Sequence, residues 1–143
     1  MPKTSSLSRS LADIRRRTRG LSSVAAVATG GLLGSAARTG IGAWIPTSGT
    51  GFPTAVVSVN LTGSLLIGLF LARRERAVGT RLSLHFWAIG VLGSFTTFST
   101  FSIDLFEMLS EGRQLTALSY LAASIFGGLG MALGGQRIGA AIR

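Results

Sequence analysis

The residues best suited to chemistry in this chain lie close together, in the run Gly90 to Ser102, GVLGSFTTFSTFS. Six hydroxyls (Ser94, Thr96, Thr97, Ser99, Thr100 and Ser102) and three phenylalanines stand in thirteen residues. Ser and Thr side chains compete with the helix for backbone groups, and glycines at 90 and 93 weaken a helix further. The pattern predicts a helix that breaks. At membrane depth a break is tolerated only where protein or water covers it, and its loose carbonyls and half-helix ends can then hold ions. An ion site near Gly93 to Thr97 is the expectation. Phe98 and Phe101 share a helix face. They are either packing or lipid-facing aromatics, or ring edges whose positive C–H groups weakly solvate an anion. Asn60, Ser124 and the threonines are further neutral donors. Such donors, with no fixed cation beside them, suit an anion that must bind and still leave.

Other chemistry is excluded by what the chain contains. It has no cysteine and one histidine, His85, so neither a thiolate site nor a multi-histidine metal site exists within it. His85 at a span edge offers no base and nucleophile set, so an enzyme is not expected.

The elements that must position these residues are membrane spans. Of 143 residues, 47% are hydrophobic and 13% charged, about half the charged share of a soluble domain. A crossing takes ~20 apolar residues. Four uncharged or nearly uncharged runs meet that length, about residues 21–44, 52–72, 82–109 and 114–136. The third, 28 residues, would extend ~42 Å as a straight helix against ~30 Å of hydrocarbon. Trp44 and Trp87 lie near span ends, where an indole suits the headgroup level. The connectors are short: Pro46 to Gly51, Arg73 to Arg81, and Ser110 to Arg113. The net charge of +9 sits between the runs and in residues 1–20, which favours membrane flanks over nucleic acid as its reason. Residues 1–20 are expected to be a disordered basic tail, and residues 21–143 one four-span domain. Small and polar residues recur at four-residue steps: Gly30, Gly34 and Arg38; Asn60, Ser64 and Gly68; Tyr120 and Ser124. Each span thus has one stripe that allows close helix approach.

These motifs resemble the small bacterial fluoride channels of the Fluc/CrcB family. Gly30-Gly31-Leu-Leu-Gly34-Ser-Ala-Ala-Arg38 is similar to that family's GGxxGxxxR, and Asn60-Leu-Thr-Gly63-Ser-Leu-Leu-Ile-Gly68 to its NxxGxxxxG. Gly90 to Phe101 is similar to its GxxGxxTTFSTF, the most specific of the three. Glu111-Gly112-Arg113, Tyr120 and Ser124 continue the pattern, which covers roughly residues 21–134. The resemblance implies an all-α membrane protein with four transmembrane helices, the third broken at mid-membrane, forming an antiparallel dimer with two fluoride pores. It implies passive fluoride export that relieves toxicity, in a bacterial inner or plasma membrane. It also implies a structural, untransported Na⁺ at the dimer centre, held through Gly93 and Thr96. The implied fluoride pathway falls on Asn60, Thr97, Phe98, Phe101, Tyr120 and Ser124, and a vestibule arginine on Arg38. Two positions depart from the family: Asp104 stands where Glu is frequent, and Thr39 where an aromatic is frequent.

Twelve Lys and Arg fall on the side shared by the two termini and the 73–81 loop, and two, Arg38 and Arg113, on the other. The positive-inside rule then places both termini in the cytoplasm. Dual insertion of one sequence needs nearly balanced charge, so the antiparallel partner is either a second copy or an oppositely oriented paralogue. The competing readings are a small four-span cation or multidrug transporter and a non-transporting accessory subunit. Proton-coupled transport needs an acid inside a span. Spans one, two and four have none, and Asp104 lies past the break.

Overall fold

The computed structural model describes residues 3–45, 51–76 and 80–142. The described residues are helical apart from short connections. Helix α1 spans Lys3–Trp44 and α2 spans Thr54–Arg76. The third span, Arg81–Ser110, is two helices: α3, residues 81–95, and α4, Phe98–Ser110. Helix α5 covers Gln114–Ala141. Four segments are long and apolar enough to cross a membrane: Gly20–Trp44, Thr54–Arg74, Arg81–Ser110 and Gln114–Ala141. The four expected spans are all present, with shifted edges. The second starts at Thr54, behind Pro53, whose carbonyl accepts from the Val57 N–H at 3.1 Å. The fourth runs five residues past Gln136 to Ala141.

The stretch 3–20, expected to be disordered, continues α1 as helix. Its Arg, Leu and Ala are good helix formers, and no proline or glycine interrupts it before Gly20. Most of the connector 46–51 and part of the loop 73–81 lie outside the described residues. The connector after α4 is a Schellman turn. The Arg113 N–H reaches the Met108 carbonyl at 2.8 Å, the Gly112 N–H reaches Leu109 at 3.1 Å, and Gly112 takes φ +73°.

The bundle is two tight helix pairs, α1 with α3 and α2 with α5. Small residues make both. A Cβ at Gly34 would run into the Val91 carbonyl, and one at Gly135 into the Leu65 carbonyl. Backbones meet directly there, as the four-residue stripes predict. Longer-range dispersion contacts come from a small core between α4 and α5: Phe101, Met108, Ala117 and Tyr120, flanked by Phe52 and Val56. Large apolar side chains cover the outside, among them Leu32, Phe106 and Leu115. That surface would cost heavily in water and costs nothing in lipid.

Two stretches have π-helical hydrogen bonding, Leu84–Leu92 in α3 and Ala123–Gly127 in α5. The first ends four residues before Thr96 in the third span, the second includes Ser124 of the fourth, and wide turns of this kind re-aim the side chains that follow.

Candidate functional site

The break lies at Thr96 and Thr97. Both are extended, with φ −76°, ψ 157° and φ −141°, ψ 124°. The cause is a side chain from another helix. In an unbroken helix the Thr97 N–H would bond the Gly93 carbonyl. Here it donates to Asn60 Oδ1 at 2.8 Å, and Asn60 Nδ2 donates to the Thr97 carbonyl at 3.0 Å. The Asn60 amide thus pairs with the Thr97 backbone as a neighbouring strand would. Diverting that N–H leaves the Gly93 carbonyl without its helical donor. Thr96 does the opposite at the neighbouring carbonyl: both its N–H and its Oγ1 bond to Leu92, at 3.2 and 3.1 Å.

On the far side of the break α4 starts afresh. Thr97 Oγ1 caps it, accepting from the Thr100 N–H at 3.2 Å and lying 3.0 Å from Thr100 Oγ1. Capping takes one of the free N–H groups of the first turn; helical geometry leaves those of Phe98 and Ser99 without a partner inside the helix. The carbonyl end of α3 and the N–H end of α4 therefore face the same gap, one favouring positive charge and the other negative. The sequence predicts an ion site at this place, and the break presents one helix end of each polarity there.

A cleft of about 440 Å³ opens on this gap. Asn60, Gly93, Thr96, Thr97, Phe98, Phe101 and Ser124 all line it, so seven of the nine predicted site residues meet at one place. Gly63 shares the wall because a Cβ there would collide with the Thr96 methyl. Ser124 Oγ is buried and has no hydrogen-bond partner among the described residues. One of the two Asn60 amide hydrogens is committed to Thr97, which leaves the second for the cleft.

The two phenylalanines differ in setting. Phe98 is 80% exposed on the protomer surface, whereas Phe101 is 9% exposed. Their rings lie 5.9 Å apart at 36°. Behind Phe101 sits Tyr120, 5.0 Å away at 33° and fully buried. Its hydroxyl donates to Asp104 Oδ2 at 3.1 Å. Phe52 meets the other side of its ring edge-on, at 5.7 Å. Tyr120 therefore stands one ring behind the cleft wall and does not line the cleft. Arg38 is also outside it, on α1 one turn beyond Gly34. Its Nε is buried and makes no hydrogen bond among the described residues.

Two residues and one role in this arrangement were not expected from the sequence. Ser64 lines the cleft, Asp104 holds Tyr120, and Asn60 holds the break rather than simply facing it. Ser64 was legible, one turn after Asn60. The other two join residues 16 and 37 positions apart, which no local pattern reports.

No group of three or more His, Cys, Asp or Glu stands together among the described residues, so a cation here would be held by neutral oxygens. Carbonyl oxygens are suitable hard donors for a small cation. The undonated Gly93 carbonyl and the carbonyl at the extended Thr96 fit this description. Two are too few to replace a hydration shell by themselves.

Residues 25–136 match the family described as CrcB-like protein, Camphor Resistance (CrcB). The fluoride-specific ion channel FluC of Thermus thermophilus is 44% identical over 117 residues, covering 81% of this chain and 92% of that protein. The protein of the same name from Pseudomonas fluorescens is 42% identical over 111 residues, covering 74% and 87%. That from Nitrobacter winogradskyi is 38% identical over 123 residues, covering 80% and 93%. The match spans all four membrane helices and every residue of the cleft, and on that extent of similarity this chain belongs to the CrcB family.

Proposed function

We propose that this protein is a passive, fluoride-selective channel that exports fluoride from the cell and so relieves its toxicity. The observation that carries this reading is the cleft at the break, walled by neutral donors and phenylalanine rings and holding no fixed charge. Fluoride is compact and strongly hydrated. A site that lets it pass must replace its water with several weak donors, because one strong cation would trap it. The second Asn60 N–H, the unpartnered Ser124 hydroxyl, the threonine hydroxyls and the ring edges of Phe98 and Phe101 are such donors. The N-terminus of α4 adds a favourable potential without a full charge. Tyr120 and Asp104 fix the far wall by holding Phe101 from behind.

The active form we infer is an antiparallel dimer. Phe98, exposed on one protomer, then gains a covering surface, and the Gly93 and Thr96 carbonyls of two protomers come together. A Na⁺ bound there would be held by those carbonyls, and would supply a fixed positive charge that locks the two breaks to each other. Arg38, on α1 outside the cleft, serves as the vestibule arginine that raises the local anion concentration.

The charge asymmetry of the chain favours insertion with both termini in the cytoplasm of a bacterial inner or plasma membrane. That supports an oppositely oriented paralogue as the partner over a second copy. Reporter fusions at the C-terminus decide between them: one orientation fits the paralogue, and equal populations on both sides fit the homodimer.

Liposome flux tests the whole reading. Purified protein, alone or with a paralogue, should pass fluoride down its gradient, exclude chloride, and show no dependence on a proton gradient. Absence of fluoride flux in both preparations would overturn it.

A further inference from the structure

The two tight helix pairs leave a crevice between α2 and α3, distinct from the cleft at the break. It has a volume of about 560 Å³ and is walled by Leu66, Phe70, Val91 and the half-exposed ring of Trp87. One end of it is different in kind. There Arg73 and Arg74 stand at the membrane end of α2, opposite Ser83. Among the residues whose side chains are described, neither guanidinium is paired with a carboxylate, and Arg113–Glu111 is the one ion pair.

We propose that this crevice is a binding site for an anionic phospholipid. Walls and end fit the two parts of such a molecule. An apolar groove on the outside of a membrane span meets acyl chains as its ordinary solvent. Two adjacent guanidiniums at the headgroup level can bind a phosphate through paired N–H donors, and the Ser83 hydroxyl can add a third contact. A zwitterionic lipid offers the same chains but brings its own ammonium, so it cancels the attraction that the arginines provide. Basic pockets between membrane helices recognise anionic headgroups on this ground. The site is independent of the fluoride reading: of its lining residues only Leu92 also borders the cleft at the break.

Trp87 makes the site observable. The chain has two tryptophans, so Trp44→Phe leaves Trp87 as the sole tryptophan, excited selectively over Tyr120 at the red edge of the band. That variant is reconstituted in vesicles in which brominated-chain phosphatidylglycerol or brominated-chain phosphatidylcholine replaces part of an unbrominated phosphatidylcholine background. Trp87 quenching should show a relative association constant favouring phosphatidylglycerol, on the order of tenfold. Arg73→Gln and Arg74→Gln should each reduce that preference, and the double variant should abolish it. Excess inorganic phosphate should leave it in place. Equal quenching by both lipids in the otherwise unchanged protein overturns the proposal without any arginine variant. Preference retained in the double variant also overturns it. Loss of preference on adding phosphate alone would mark a free-phosphate site instead, and quenching by neither lipid until the protomers are separated would mark an interface between copies.

Discussion

The side-chain amide of Asn60 pairs with both backbone groups of Thr97, donating to its carbonyl at 3.0 Å and accepting from its N–H at 2.8 Å. This one relationship joins α2 to the break in the third span. It removes the hydrogen bond that would have closed the helix over Gly93, so it creates the free carbonyl and holds the gap open at once. Asn60→Leu should then do more than delete a pore donor. Leaving the Thr97 N–H and carbonyl unsatisfied costs about 1–3 kcal/mol for each group. Expected results are a lower thermal midpoint and loss of most fluoride flux. Asn60→Asp keeps the acceptor for the Thr97 N–H, so it should recover stability in part, but it places negative charge on the anion path and should not recover flux. Thermal unfolding in detergent and liposome efflux together check this.

Phe98 and Phe101 should separate under the same substitution. Phe98 is exposed on the protomer, so Phe98→Ile should cut fluoride flux sharply with little change in protomer stability. Phe101 stacks on Tyr120 inside the core, and Phe101→Ile should both cut flux and destabilise by about 1 kcal/mol. Cross-linking should still find dimers in each variant. Normal flux in both would remove the rings from the mechanism.

Tyr120→Phe tests the support behind the wall. It keeps the ring stack and removes the hydroxyl that donates to Asp104, leaving that carboxylate without its partner. A cost of about 1 kcal/mol is expected, together with a partial fall in flux from a less firmly placed Phe101. Full activity with unchanged stability would show that the Asp104 contact positions nothing.

Gly112→Ala provides a control away from the cleft. Gly112 adopts φ +73° with nothing near its absent side chain. Alanine there should cost about 1 kcal/mol of stability through backbone strain alone. Flux per folded dimer should be unchanged, which separates stability from conduction in the other variants.

The sequence alone determined the span count and the place of the break. Both follow from composition along one helix: an uncharged run of sufficient length must cross lipid, and a crossing too long and too rich in glycine and hydroxyls must interrupt itself. The basic stretch before Gly20 shows the limit of that reasoning. Its charge says that it stays out of the hydrocarbon, yet says nothing against helix, and it is helical from Lys3.

Only the tertiary structure decided which polar groups face which. Phe98 and Phe101 are one turn apart, and one is outside and the other buried, because α5 covers only part of α4. Tyr120 and Ser124 form one stripe in sequence, but Ser124 lines the cleft and Tyr120 lies behind it, where the π-helical turn beginning at Ala123 shifts the register between them. Asn60 and Thr97 lie 37 residues apart and meet because close packing brings Gly63 against Thr96. Periodicity along a chain gives each helix its faces; the rotation and depth at which two helices pack are set by the contacts between them, and that is where this site is made.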